Sequence, residues 1–146
     1  MRKTLLFGAA LFSVVLTSCA STNTPKMATM LRDTTGQNGR ACILQSDIKS
    51  YGVLKDNIIS INGKRKYYLA TVLPGCNDLQ TSVRAMFSGK FSEICGQSMD
   101  KLVTGGNQCT INHIFQFNSR DEAFAVYNSI LEQRESMKDA AGSGSY

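Results

Sequence analysis

The short segment Leu16-Thr17-Ser18-Cys19 constrains this chain most, because it marks where the folded part begins and in which compartment it folds. It follows a basic pair, Arg2-Lys3, and an apolar run from Leu5 to Leu16. A membrane-spanning helix needs about 20 apolar residues, so this run is too short to span and is typical of a secretion signal. A cysteine directly after Leu-Thr-Ser is the pattern of a bacterial lipobox. We therefore expect residues 1–18 to be cleaved as a lipoprotein signal peptide and Cys19 to carry the lipid.

A lipidated Cys19 places the protein in the cell envelope. Several acyl chains hold a protein on a bilayer far more firmly than one chain does, so the mature protein is expected to stay on its membrane. The next residue is Ala20 rather than the Asp that retains lipoproteins in the inner membrane, which favours the outer membrane, facing the periplasm. A secretion signal with an incidental cysteine and a simple N-terminal anchor are the alternatives.

The net charge argues against a nucleic-acid partner. The whole chain has 16 Lys and Arg against 11 Asp and Glu, a formal charge of +5 at pH 7. Loss of residues 1–18 removes two of the basic residues and lowers the charge to about +3, which is mild for a nucleic-acid-binding domain. The expected partners are the membrane, through the lipid anchor, and an unidentified envelope protein or anionic envelope polymer.

The composition divides the mature chain into three parts. Residues 19–39 comprise the lipidated cysteine and a polar stretch with few large apolar side chains, which predicts a flexible tether. Residues 139–146 are mostly small and polar, which predicts a disordered tail. The folded domain is therefore expected to span residues 40–138, enough for one hydrophobic core.

Four cysteines remain after Cys19, and an even number in an oxidising compartment predicts two disulfides. They are Cys42, Cys76, Cys95 and Cys109. Of the three possible pairings we expect Cys42 with Cys109 and Cys76 with Cys95, because a closed sheet would bring the first and last strands together. A four-cysteine zinc site is the alternative. No two of these cysteines have the Cys-x-x-Cys spacing that such sites favour, so we expect no metal and no cofactor.

Short apolar and β-branched runs separated by turn residues predict β-strands from residue 41 onward. The runs are Cys42–Leu44, Val53–Leu54, Ile58–Ile61, Lys66–Val72, Val83–Phe87, Met99–Val103 and Cys109–Phe117. Asn62-Gly63 predicts a type I′ hairpin turn, because both central residues of that turn need positive φ. Ser88-Gly89 predicts a second hairpin, which joins the Val83–Phe87 strand to Lys90-Phe91.

One helix is expected after the strands. Ser119 and Glu122 have the spacing of a capping box, which satisfies free backbone N–H groups at a helix start. An apolar stripe at helical spacing follows, made of Ala123, Phe124, Tyr127, Ile130 and Leu131. Runs of strands followed by one helix predict a mainly β fold: a small antiparallel β-barrel or curled sheet of five to six strands with one C-terminal α-helix and two disulfides.

No catalytic constellation stands out in the sequence. His113 is the only histidine, and strict alternation along the last strand places it on one face with Cys109, Ile111, Phe115 and Phe117. A hydrogen-bonded core histidine is the simplest interpretation, and a β-bulge would instead turn it outward. No nucleophile or carboxylate stands at a catalytic spacing from it, and no phosphate-binding glycine loop is present. We therefore expect no catalytic residues and no enzyme.

One charge cluster offers a possible contact surface. It comprises Lys64, Arg65, Lys66, Tyr67 and Tyr68, just after the Asn62-Gly63 turn. A lysine-rich hairpin tip usually keeps an exposed sheet edge soluble. The functional alternative is contact with anionic lipid head groups, lipopolysaccharide or another acidic envelope polymer.

The order of the cysteines and of one strand resembles a known family. The matching segments are Arg40-Ala-Cys-Ile43, Tyr67-Tyr68-Leu69-Ala70, Gly75-Cys76, Ile94-Cys95 and Cys109-Thr-Ile111. Over residues 40–118 they resemble a family of small Gram-negative envelope proteins of unknown function, many of which have a lipoprotein signal. The resemblance implies no activity and no functional residue.

The sequence therefore predicts a non-enzymatic envelope lipoprotein, an adaptor or structural module. The alternative is a carrier that holds a small apolar ligand inside the β domain, which requires an unfilled interior. An enzyme or an enzyme inhibitor ranks last.

Overall fold

The folded part of the chain is a curled half-barrel sheet with two helices packed on one face. A computed structural model describes residues 25–76, 79, 85–97 and 99–142. The elements in chain order are α1 (Met27–Thr35), β1 (Ile43–Leu44), β2 (Ile48–Val53), β3 (Ile58–Gly63), β4 (Tyr67–Val72), β5 (Ala85–Ser88), β6 (Glu93–Ile94), β7 (Asp100–Thr104), β8 (Gln108–Phe117) and α2 (Arg120–Gly142). The predicted leader and Cys19 lie outside the described residues.

Six antiparallel strands form the main sheet in the order β2-β3-β4-β8-β7-β5, so β2 and β5 are its edges. The strands β1 and β6 pair with each other in a separate two-stranded sheet. The prediction of a mainly β fold with a curled sheet, a helix after the last strand and two disulfides is confirmed. Helix α1 is an addition that the sequence reasoning does not foresee.

Each face of the main sheet has its own hydrophobic cluster. On one face, called the helix face, Ile58, Leu69 and Phe115 pack against α1 and α2. On the opposite face, side chains of β3, β4, β7 and β8 pack against Ile43 and Ile94 of the small sheet. Successive side chains of a strand point to opposite faces, so alternation along the strands produces this division.

Helix α1 shows that the prediction of a flexible tether over residues 19–39 is wrong for most of its length. Met27, Met30 and Leu31 of α1 are buried in the cluster of the helix face. Their i, i+3, i+4 spacing puts them on one side of a helix, a signal that their polar surroundings obscured. Gly36 ends the helix in the left-handed conformation, with φ 68°. The rest of the predicted tether, residues 19–24, lies outside the described residues.

Helix α2 begins where the capping box predicts. The Ser119 Oγ accepts the backbone N–H of Glu122 (3.2 Å), and the Glu122 carboxylate accepts the backbone N–H of Asn118 (2.8 Å). The helix continues to Gly142, so the prediction of a disordered tail is wrong for residues 139–142. Residues 143–146 lie outside the described part of the chain.

The β3–β4 hairpin is confirmed, but its turn lies two residues later than predicted. Asn62-Gly63 belongs to β3, and Lys64-Arg65 makes the turn, closed by a bond from the Gly63 N–H to the Lys66 carbonyl (3.0 Å). Burial of the isoleucines of β3 sets its register against both neighbours and draws Asn62-Gly63 into the strand. The two positive φ values typical of a type I′ turn occur instead in the β2–β3 hairpin, at Asp56 (60°) and Asn57 (59°).

The second predicted hairpin is wrong. Strand β5 pairs with β7, not with Lys90-Phe91, which lies in a tight turn with positive φ at Phe91 (57°) and Ser92 (60°). A strand at Lys90-Phe91 would bury nothing, since Phe91 is 96% exposed, whereas β7 buries Leu102 completely. The predicted strand residues Val83 and Arg84 lie outside the described residues.

The predicted disulfide pairing is also wrong: the bonds join Cys42 to Cys95 and Cys76 to Cys109. Only the segment just before β1 meets the last strand, where Arg40 lies beside Ile114, and β1 itself pairs with β6. Ile43 stands opposite Ile94, which brings the adjacent Cys42 and Cys95 together. The last strand β8 pairs with β4, and the segment after β4 stays beside β8, so Cys76 reaches Cys109.

Strand β8 lies where predicted but does not alternate strictly. His113 stands opposite Thr71 and Ile111 opposite Val72, so β8 has one extra residue at a β-bulge. Ile111 consequently packs in the cluster of the opposite face, while Phe115 packs beneath the helices and His113 contacts α1.

Candidate functional site

The predicted contact surface lies at the tip of the β3–β4 hairpin. Lys64 and Arg65 are exposed in the turn, and Lys66 and Tyr67 are half-buried beside it. Tyr68 is only 7% exposed and packs in the cluster of the opposite face, so it does not belong to an accessible surface.

Two further cations, which sequence reasoning missed, lie at the same place. Lys49 of β2 and Arg120 at the start of α2 line one groove with Lys64, Arg65 and Lys66, with a volume of about 250 Å³. We call it the tip groove. Pairing of β2 with β3 places Lys49 there, and a bond from the Lys66 Nζ to the Asn118 Oδ1 (2.6 Å) holds the start of α2 beside the hairpin. Only the strand register could have revealed this cluster.

The cations of the tip groove are only partly neutralised. Lys64 pairs with Asp47 at 2.9 Å. Among the described residues, Lys49, Arg65 and Arg120 have no carboxylate within 4.0 Å. The Arg120 guanidinium lies 5.2 Å from the centre of the Phe124 ring, a cation–π contact that leaves its charge available. The groove therefore has a positive potential that favours anionic groups.

The start of α1 lies at the opposite end of the sheet from the tip groove. Met27 and Lys26 line a groove with Asn57, which precedes β3, whereas Lys64 follows β3. A strand of six residues is about 20 Å long, which separates the two ends. Arg134 of α2 joins this end together: its Nη1 lies 2.7 Å from Asp56 and 3.8 Å from the Met27 sulfur.

His113 contacts cations rather than a catalytic partner. Its ring nitrogens both lie 3.2 Å from one Arg32 guanidinium nitrogen of α1. Burial, and then the charges of Arg32 and Arg40, hold the pKa of His113 below its usual range. The ring is half-buried and stays neutral at neutral pH, where it stabilises the contact between β8 and α1.

One buried carboxylate has a structural role. Asp100 is 5% exposed, and its Oδ2 accepts the backbone N–H groups of Cys95 (2.6 Å) and Gly96 (3.0 Å). It therefore holds the loop that contains the Cys42–Cys95 disulfide. Glu93 lies within 4.8 Å of both sulfurs of this disulfide, but disulfide sulfurs offer no thiolate to a metal ion.

Comparison with known proteins adds a family but no activity. No curated protein and no solved structure matches the chain. In the part of the chain that the structure describes, no helix is long and apolar enough to cross a membrane. The model of a family of unknown function, DUF6491, matches residues 1–132, nearly the whole chain. The chain therefore belongs to the DUF6491 family.

Proposed function

We propose that this protein is a non-enzymatic, lipid-anchored module of the cell envelope, attached through Cys19 to the periplasmic face of the outer membrane. It acts as an adaptor that holds a partner close to the membrane. The leader pattern and Ala20 support the anchor and the choice of membrane.

The observation that carries the proposal is the packing of α1 on the domain. A tether over residues 19–39 would reach about 70 Å when extended. Because α1 begins at Met27, only Ala20–Lys26 separate the lipidated cysteine from the domain, and this segment spans at most about 28 Å. This short segment keeps the start of α1 beside the bilayer. It therefore favours an orientation in which the tip groove faces away from the membrane.

Substitution of the anchor tests the proposal. In Cys19→Ala, we expect full-length, unlipidated protein by mass spectrometry and loss of the mature lipidated form from the outer-membrane fraction. Ser21→Ala, two residues away and outside the lipobox, is the control and should be processed normally. Normal processing and membrane retention of Cys19→Ala would refute the anchor.

A crosslinking experiment tests the orientation. A photoreactive amino acid at Arg65, in the tip groove, should capture a partner other than the lipids of the anchoring membrane. The same amino acid at Lys138, near the end of α2, should capture lipid. The reverse pattern would show that the tip faces the bilayer.

The alternative is a carrier of a small apolar ligand. Its candidate site is a groove of about 490 Å³ between the edge strands β2 and β5, lined by Tyr51 and Phe87 and also by the polar Gln45, Lys49 and Ser50. The ring centres of Tyr51 and Phe87 lie 5.8 Å apart in an edge-to-face contact, which narrows the gap between β2 and β5. Native mass spectrometry of the purified protein tests this function: a co-purifying apolar molecule supports it, and an unliganded mass for the whole population argues against it.

A further inference from the structure

The tip groove continues along the helix face of the sheet. A second groove of about 410 Å³ shares Asn62, Tyr67 and Arg120 with the tip groove, so the two form one continuous surface. We call it the extended groove. It runs from the cationic hairpin tip along the outer strands β2 and β3, beside the first turns of α2.

The floor of the extended groove is small and polar. It comprises Ser50, Gly52, Ser60 and Asn62, on the helix face of β2 and β3. The structure explains the glycine at position 52, because a Cβ there would lie 3.0 Å from the Ser60 Oγ. Ser60 is buried and its hydroxyl donates to the Gly52 carbonyl (3.3 Å), so the exposed Ser50 and Asn62 are the groups of the floor that offer hydrogen bonds to a ligand.

Aromatic rings form the wall beside this floor. Tyr67 of β4 and Phe124 of α2 both line the groove, with ring centres 6.1 Å apart. Phe124 is held from behind by Tyr127, at 6.3 Å, so the wall is braced by the core. Sugar rings stack their C–H faces on such aromatic side chains while their hydroxyls bond to nearby polar groups. Ligand sites commonly combine aromatic walls with a few polar groups in this way.

Three properties thus coincide in one groove: unpaired cations at one end, a small polar floor and an aromatic wall. We propose that the extended groove binds an anionic glycan, a sugar polymer that bears carboxylate or phosphate groups. A sugar ring packs on Tyr67 and Phe124, and its acidic group binds Arg65 and Lys49. Arginine is suited to this role because its planar guanidinium binds such groups through two parallel hydrogen bonds.

An anionic glycan is thus the partner class of the lipid-anchored module proposed above, and this inference rests on the proposed function in that sense. A lipid head group fits less well, because the short segment Ala20–Lys26 keeps the opposite end of the domain at the bilayer. An acidic peptide would use the cations but would leave the aromatic wall and the polar floor without a role. The affinity of the groove for a glycan does not itself require the anchor.

Binding of defined polymers to the full chain in detergent tests the proposal. The probes are oligomers of polygalacturonate, an acidic glycan; dextran, an uncharged glycan; and polyglutamate, an acidic polymer without sugar. In calorimetric titrations at 0.15 M salt, we expect polygalacturonate to bind about tenfold more tightly than polyglutamate, and dextran not to bind detectably. Equal affinity for the two acidic polymers, or no binding of polygalacturonate, would overturn the proposal.

Two kinds of variant separate charge from shape. Arg65→Ala and Lys49→Ala should each lower the affinity for both acidic polymers about three- to fivefold, as expected for exposed ion pairs. Ser50→Tyr, which fills the floor and leaves every cation in place, should weaken polygalacturonate alone. Lys90→Ala removes an exposed cation outside the groove and is the matched control, with unchanged affinity expected. A Lys90→Ala loss as large as that of Arg65→Ala would indicate general charge attraction and contradict the site.

The Cys19→Ala variant distinguishes failure of this inference from failure of the anchor. If the anchor proposal is right, this variant gives no mature lipidated form in the outer-membrane fraction but binds polygalacturonate as the parent chain does. Normal processing and retention in the outer membrane, with normal glycan binding, would refute the anchor alone. Tighter binding of Cys19→Ala to phosphatidylglycerol vesicles than to polygalacturonate, abolished by Arg65→Ala, would identify a lipid surface as the ligand and overturn the glycan.

Discussion

Leu31→Ala tests most directly whether α1 belongs to the folded domain. Leu31 is fully buried and packs with Phe115 and the α2 residues of the helix face. Shortening leucine to alanine removes about three carbon groups from the core, worth about 2.4 kcal/mol of transfer free energy. The cavity that remains adds about 1 kcal/mol. The expected loss is therefore about 3 kcal/mol, within the observed range for buried leucines.

The assay is urea unfolding of the full chain, followed by tyrosine fluorescence because the chain contains no tryptophan. The free energy of unfolding should fall by about 3 kcal/mol, which corresponds to a loss of about 10 °C in melting temperature for a domain of this size. Leu44→Ala is the matched control, since Leu44 is 48% exposed, and it should cost less than about 0.5 kcal/mol.

A result within about 0.5 kcal/mol of the Leu44→Ala control would refute the reasoning. It would mean that α1 is not docked on the sheet, and that residues 19–39 act as the long tether that composition alone predicts. The tip groove would then have no reason to face away from the membrane.

Two further predictions concern single polar side chains. Because the pKa of His113 is lowered in the folded state, the unfolded state binds more protons below about pH 6.5, so stability should fall as the pH drops from there through the folded pKa. His113→Gln should reduce the pH dependence of the urea midpoint between pH 7 and about pH 5.5. An unchanged dependence would contradict this assignment. Asp100→Ala leaves the buried Gly96 N–H and the partly buried Cys95 N–H without an acceptor and should cost about 2 kcal/mol by urea unfolding. Asp121→Ala, at an exposed site, is its control, and equal costs for the two variants would show that Asp100 does not hold the Cys95 loop.

Local patterns were sufficient for much of the fold. The β-branched run before Asn62 and the Tyr-Tyr-Leu run after it identify β3 and β4, and the Ser119–Glu122 capping box identifies the start of α2. These signals are reliable because they act over a few residues: alternation sets the faces of a strand, and a side-chain cap satisfies free N–H groups. The same locality explains the miss at α1, where three buried side chains stand in a polar segment.

The arrangement of strands was beyond local patterns. The disulfide partners follow from β1 pairing with β6, and this choice depends on contacts between segments about 50 residues apart. The β-bulge in β8 likewise depends on its pairing with β4 and not on the sequence of β8 alone. It places Ile111 and Phe115 on opposite faces of the sheet. A strand's neighbours decide its register, because every side chain on a half-buried strand changes face with a one-residue shift.

By itself the sequence determined that this chain is a mainly β domain with two disulfides and a C-terminal helix. Those properties depend on residue types and short spacings. Only the tertiary structure brought Lys49 and Arg120 to the hairpin tip and packed α1 against the sheet. The reason is physical: a groove is made by side chains that are distant in sequence, and pairing of β2 with β3 and packing of the helices decide which of them meet.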